Sequence, residues 1–460
     1  MDYDAIQEQR SNELTELLDQ RKMRTLKERM EEMQEFDVAE FLAGIEDNRM
    51  PMLFRLLSKG MAADVFANLE APDQERIINS MTDSELQGIL EELYVDDAVD
   101  MMEELPANVV KRLMRTATPQ TRALINQYLH YPEDSAGSIM TSEFVDLKKY
   151  MSVKESFARI RRIGEDKETI YICFVISAHR KLEGIVTVKD LLLADDDTII
   201  EDLMDRNVIF ATTTEDQESV SEKFSDYDLM ALPVVDTEGR LVGIVTVDDI
   251  IDVMEQETTE DFELMAAMTP SDKPYSRTGI GEIWKNRIPW LLFLMLSATF
   301  TSMILTHFED MLAVQAALVA FIPMLMGTGG NSGAQASTAV IRSLSLGDIE
   351  PGDALTVIWK EFRVAFLCGL TLSGVNFVKM LLLDGMLLKN DAVTVSVALT
   401  VSLSVLFIVI FAKVVGSLLP IGAEKIGVDP AVMANPLIST LTDTVSLLIY
   451  IYIAKLILHI

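Results

Sequence analysis

The sequence predicts a multidomain chain: an α-helical superhelix first, then a duplicated α+β module, and finally an all-α, five-helix transmembrane domain. Three observations carry this. Short amphipathic helical patterns fill residues 1–132, and one strand–turn–strand–helix phrase occurs twice within 133–254. Beyond residue 284, five apolar stretches each reach the roughly 20 residues that a helix needs to cross hydrocarbon. Charge divides in the same way. Residues 285–460 carry 10 basic and 11 acidic side chains, so all but one of the 33 net negative charges fall on residues 1–284.

An acidic block of that size repels nucleic acid and anionic lipid and concentrates divalent cations, so cations are expected as partners and nucleic acid is not. Cys173 and Cys368 are the only cysteines, which gives neither a disulfide framework nor a zinc pattern. The first twenty residues are polar and charged, unlike a cleavable signal, so the N-terminus is expected to stay inside the cell.

In the first region, apolar residues recur at helical spacing as Val38, Phe41, Leu42 and Ile45, as Met52, Leu53, Leu56 and Leu57, and as Val99, Met102 and Leu105. Pro51, Pro72, Pro106 and Pro119 punctuate them. The stretches beginning at Asp37, Ala63 and Asp97 resemble one another at loosely repeating intervals, as in a helical superhelix.

In the second region, the phrase from Leu182 to Asp190 recurs from Leu241 to Asp249, each copy preceded by a strand-like run, Tyr171 to Ile176 or Leu232 to Val235. This duplication resembles a tandem pair of cystathionine-β-synthase (CBS) domains. At each strand-to-helix junction a Thr and an Asp can cap the helix or hold a ribose, which makes an adenine nucleotide such as ATP a candidate cofactor. Thr246 and Asp249 rank ahead of Thr187 and Asp190, and plain helix capping explains the same residues. An acidic helix over residues 255–284 then connects this module to the membrane region.

The expected spans are Ile288 to Phe308, Ala313 to Ile341, Val364 to Leu383, Ala392 to Pro420 and Pro430 to Leu458. Lys273, Arg277, Lys285 and Arg287 precede the first span. Arg342, Lys360 and Arg363 separate the second from the third, and Lys425 the fourth from the fifth, whereas the loop with Glu309 and Asp310 has no basic residue. That asymmetry places the N-terminal domains in the cytoplasm and the C-terminus outside. Pro323 and the glycines 327, 329, 330 and 333 are expected to break the second span and form a pore wall. Asp443 is the only charge between Pro430 and Ala454, and a carboxylate at bilayer depth marks an ion path or a partner.

Pro323 and Leu325 followed by Gly330, Asn331, Gly333 and Gln335, and Asp429-Pro430-Ala431 followed by Pro436, Thr440 and Asp443, resemble the signatures of the MgtE family of bacterial magnesium channels. The domain order resembles that family too. The resemblance implies a homodimer in the cytoplasmic membrane with a central cation pathway between the second and fifth spans. Pore residues would be Asp443, Asn331, Asn435, Thr440, Gly330 and Gln335. Regulatory magnesium would bind Asp64, Asp96 and Asp100, then Asp216, Glu218 and Asp228, and also Asp249, Asp252, Glu257, Glu260 and Asp261. Magnesium dehydrates reluctantly, so a wide, watered carboxylate site suits it. High internal magnesium would bridge the acidic surfaces and close the channel. A proton- or sodium-coupled carrier of cobalt, nickel or manganese stays open as an alternative. An enzyme is not expected, because the chain has neither a nucleophile paired with a base nor a phosphate-binding glycine loop.

Overall fold

The computed structural model describes residues 3–45, 49–271, 275, 278–387, 393–433 and 435–459. The chain forms two compact units, Met1–Val253 and Met254–Ile460.

The first unit opens with a ladder of short helices. Helices begin at Glu35, Lys59, Asp83 and Ala107, and a second series begins at Ala71, Val95 and Pro119, so each series repeats every 24 residues. Helices stack along each series, Glu35–Ala43 on Lys59–Ala67, then on through Asp83–Leu90 to Ala107–Thr116, and Val95–Glu104 on Pro119–Tyr128, while Ala71–Ser80 packs across on Ala107–Thr116. This is the stacking of a solenoid, in which each repeat buries its apolar face only against neighbours. Val38, Leu42, Leu53, Val99 and Met102 are buried as the periodicity predicts. Met52 is exposed instead, because its helix is a single turn-and-a-half, Met50–Phe54, whose inner side is taken by Met50, Leu53 and Phe54.

Arginines staple successive rungs. Arg112 donates to Ile78 O and Met81 O, both at 2.6 Å, and to Asp83 Oδ1 at 3.0 Å; Arg55 reaches Ser80 O and Glu85 in the same manner.

The duplicated module consists of two three-stranded sheets of one design. Strands β1 (Val145–Leu147), β2 (Ile172–Ile176) and β3 (Leu182–Thr187) correspond to β4 (Ala211–Thr212), β5 (Ala231–Val235) and β6 (Leu241–Thr246). In each sheet the first pair is parallel and the second antiparallel, with Ile172 opposite Thr187 and Ala231 opposite Thr246. The segment entering one copy bridges the last strand of the other: Thr141 pairs with Ile244, and Asp205 with Ile185. The repeated glycine is thereby explained. A Cβ on Gly184 would lie 2.8 Å from Asp205 O, and one on Gly243 2.8 Å from Thr141 O. Phe174, Ile176, Ala231, Leu241 and Ile244 form a core shared by the two copies, while the ladder's core runs on into the second copy through Met140, Val220 and Val245.

The helix after β6 runs unbroken over Val247–Met265, so it starts eight residues earlier than the sequence suggests and stops well short of residue 284. Among the described residues the second unit has five long helices: Ile280–His307, Ile322–Ser345, Ala354–Lys379, Val395–Lys425 and Asn435–Leu458. Four segments are long and apolar enough to cross a membrane among the described residues. The Ile322–Ser345 helix is not among them: at about 36 Å it is long enough, but its glycines, serines and Asn331 dilute its apolar content.

That helix also corrects an expectation. The glycines do not break it; it is continuous from Ile322 to Ser345, and the irregular backbone lies before it, in a 3₁₀ stretch over Ala316–Phe321. The Leu318 carbonyl there accepts a hydrogen bond from the Tyr450 hydroxyl at 3.0 Å. The glycines serve close approach instead. A Cβ on Gly329 would meet Ser446 Oγ at 2.7 Å, one on Gly333 would meet Ile438 at 2.7 Å, and one on Gly416 would meet Gly333 O at 2.4 Å. Three helices are therefore packed nearly backbone to backbone, which outweighs the weak helix propensity of glycine.

Candidate functional site

Two sets of carboxylates stand out, one in each unit. In the membrane unit the Ile322–Ser345 helix buries Gly329, Gly330 and Gly333 against the Asn435–Leu458 helix and leaves Asn331 and Gln335 exposed, four residues apart on one face. Asp443 is half-buried. Among the described residues it has no hydrogen-bond or ion-pair partner. The nearby hydroxyls on its helix are spoken for, since Thr440 donates to Pro436 O at 2.9 Å and Thr444 to Thr440 O at 3.1 Å. Asn435 opens its helix, and its side chain lies outside the described residues.

At the end of the Val247–Met265 helix, Leu264 and Met265 pack against Ile341 and Ala431, the termini of the two pore-candidate segments. Asp261 sits in the same place. Burial, then the charges of Asp429 and Glu257, push it up to about 6, and Arg342 partly offsets this. Glu257 lies one turn back on the same face; Glu260 and Asp252 are exposed. Asp429 was not singled out by its charge in the sequence; its carboxylate also accepts from Ala431 N at 2.7 Å, which holds the turn at Pro430.

In the soluble unit, acidic groups from three elements face one another. Asp96 and Asp97 come from the Val95–Glu104 helix, Asp248 and Asp249 from the start of the helix after β6, and Glu168 from the loop before β2. Asp96 is only 8% exposed, and burial together with Asp97 and Asp249 drives its carboxyl well above the usual range. Burial, then the charge of Asp249, pushes Asp97 up to about 6. Burial likewise raises Asp249 to about 6 against the opposing hydrogen bond from Thr246, and Glu168 to about 7. Asp100 lies at the exposed rim, within electrostatic reach of Asp97 and Asp249, and Asp64 is exposed beyond it. Sequence reasoning missed Asp97 and Glu168. Asp97 adjoins Asp96, but Glu168 carries no local signal.

Asp216, Glu218 and Asp228 do not form one group. Asp216 caps the Gln217–Tyr227 helix by accepting from Glu218 N at 2.9 Å, and Asp228 ends the same helix in the left-handed conformation, about 18 Å away. At the two junctions, Thr187 caps its helix through a reciprocal box with Asp190, and the Thr246 hydroxyl donates to Asp249. Among the described residues, no three His, Cys, Asp or Glu side chains converge closely enough to chelate a bare metal ion.

A membrane-embedded helical unit with an unpartnered carboxylate, joined to an acidic ladder and a CBS-type pair, defines a divalent-cation transporter with an attached sensor. Family models agree: residues 322–453 match the MgtE divalent cation transporter domain, 33–134 the MgtE intracellular N domain, and 136–197 with 200–256 the CBS domain. The chain is 38% identical to the magnesium transporter MgtE of Thermus thermophilus over 99% of its own length and all of that protein's. It is 31% identical to the Bacillus subtilis magnesium transporter MgtE over 96% of both. Among solved structures, the cytosolic domain of the Mg²⁺ channel MgtE in complex with ATP is 36% identical, with a TM-score of 0.50 over 53% of this chain and 99% of that one. The soluble part of a magnesium transporter is 31% identical, with a TM-score of 0.52 over 55% and 99%. This chain belongs to the MgtE family.

Proposed function

We propose that the protein is a magnesium influx channel of the cytoplasmic membrane, working as a homodimer with its N-terminal domains in the cytoplasm and its C-terminus outside. The observation that carries this is Asp443, half-buried without a partner among the described residues, in a segment long and apolar enough to cross a membrane. Asn331 and Gln335 support it, since an exposed amide face on a membrane helix is unfavourable toward lipid and needs water or a second copy. A hydrated ion between two Asp443 carboxylates keeps the waters that magnesium releases slowly. Thr440 and Gly330 belong to the same wall, and Asn435 to its cytoplasmic mouth. In this reading all five long helices cross the bilayer, the glycine-rich one shielded from lipid by its neighbours.

Gating would act through the two cytosolic-side acid groups. Asp96, Asp97, Asp100 and Asp249 repel one another until a dication enters; Asp261, Glu257 and Asp429 do the same at the pore termini. High internal magnesium then compacts both places and closes the pathway. For the nucleotide, the surroundings of the two junctions favour Thr187 and Asp190 over Thr246 and Asp249. Phosphates are disfavoured at Thr246 and Asp249, which the acid group surrounds, whereas Thr187 and Asp190 have Lys189 beside them and no such crowd, so ATP is assigned to that copy.

Magnesium uptake into liposomes by the intact protein and by Asp443→Asn, with cobalt and calcium as competitors, tests the central assignment. Flux should be lost in the variant while its melting temperature is kept. Undiminished flux would overturn it.

A further inference from the structure

We propose that Glu168, in the first CBS copy, is a further cation-binding residue of the acid group made by Asp96, Asp97 and Asp249, so that one hydrated dication is held by the helical ladder and both copies at once. The proposal rests on the regulatory reading above and extends it to a residue from a third element.

The fold delivers Glu168 to this place by a chain of backbone bonds. Its N–H donates to Glu143 O at 2.9 Å, and the segment leading to Glu143 is fastened to β6 by the reciprocal bonds Thr141 N to Ile244 O at 2.7 Å and Ile244 N to Thr141 O at 2.9 Å. Because β6 ends at Thr246, the Glu168 segment is set beside the Thr246–Asp249 junction. The charged groups that act most strongly on Glu168 are Asp249, Asp248, Asp97 and Glu143, all of them acidic.

Two oxygens in this group are buried and have no hydrogen-bond partner among the described residues: Asp96 Oδ1 and Glu168 Oε2. An orphaned buried carboxylate oxygen is costly, and two of them in a crowd of like charge are more so. Other carboxylates of the ladder end on arginines, as Asp83 does on Arg112 and Glu85 on Arg55. This pair is turned instead toward other acids, an arrangement that a dication would resolve.

The ion would be a watered one. The carboxylates do not come close enough to chelate bare metal, but magnesium keeps several of its six waters, and acids set back by one water layer accept hydrogen bonds from that shell. Glu168 then makes the site report on three elements together. Asp96 and Asp249 alone would tie the ladder to the second copy; Glu168 adds the first.

The test is limited proteolysis of the full chain in detergent across a magnesium titration, reading the concentration that half-protects the soluble unit. Glu168→Gln should raise that midpoint about tenfold or more, whereas Glu165→Gln, which removes the same charge from an exposed position three residues away, should leave it unchanged. An unchanged midpoint for Glu168→Gln overturns the proposal, and so does a lowered one, which would make Glu168 a mere source of repulsion. If Glu168→Gln fails to fold, as judged by its melting in EDTA, then Glu168→Asp, which keeps the charge but draws it back by one methylene, should raise the midpoint severalfold; no rise overturns the proposal. Absence of magnesium protection in the unaltered protein would instead defeat the regulatory reading itself, and this proposal with it.

Discussion

Gly416 marks the tightest approach in the membrane unit, and replacing it with alanine has a cost that follows from its surroundings. The added Cβ would lie 2.4 Å from Gly333 O, 3.0 Å from Gly333 C and 3.1 Å from Gly333 Cα, where ordinary contact begins at 3.4 Å. The Val395–Lys425 and Ile322–Ser345 helices would have to part by about 1 Å, because the obstacle is main chain and cannot rotate aside. Overpacking of this kind costs about 1–3 kcal/mol, and the better helix propensity of alanine returns at most about 1 kcal/mol. Gly422 provides the control. It is in the same helix with nothing within 4 Å of its would-be Cβ, so Gly422→Ala should be neutral or stabilising. Thermal unfolding of the full chain in detergent should therefore rank Gly416→Ala below the unaltered protein and Gly422→Ala level with it or above. Liposome uptake should fall for Gly416→Ala, because Gly333 stands on the same helix as Asn331 and Gln335. Equal melting temperatures for the two variants would refute the claim that these glycines exist for close approach.

Two more expectations concern the soluble unit. With Asp97 and Asp249 raised to about 6 and Glu168 to about 7, the folded state binds protons more tightly than the unfolded chain across roughly pH 4 to 7, so the stability these groups contribute is full below that window and is lost as pH rises through it. In EDTA the melting temperature should fall from about pH 5 to about pH 7.5, and magnesium should restore it; a rise with pH would contradict the assignment. Glu85, lowered to about 2 chiefly by its hydrogen bond from Arg55, titrates below this range. Arg112→Ala removes the donors to Ile78 O, Met81 O and Asp83, and should cost about 1–3 kcal/mol, seen as a lower denaturant midpoint, with magnesium protection otherwise retained.

The duplication was the most legible part of the chain, because both copies repeat the same residues at the same register, down to the glycine that each needs where the partner segment crosses. The ladder was legible as helices but only loosely as a repeat: its 24-residue period lies in the helix starts, while the side chains between them differ. The glycine cluster was legible as unusual and was misread. Local propensity argues for a break, and only tertiary packing reveals that the missing side chains make room for Ser446, Ile438 and Gly416. Asp443 stood out in the sequence because a single charge in an apolar run has no cheap explanation. Glu168 did not. It joins Asp96 and Asp249 from 72 and 81 residues away in the chain, and nothing in its neighbourhood marks it as more than a loop residue. Asp216 and Asp228, near in sequence, lie at opposite ends of one helix.

The ladder's fixed rung has one more consequence. Since both helix series share one 24-residue repeat, the domain's reach is adjustable in whole steps: excising residues 59–82 would remove one helix of each kind and bring the surfaces flanking the gap into the relation they already have with the unit taken out. Evolution, or an engineer, can thus lengthen or shorten this arm without redesigning it.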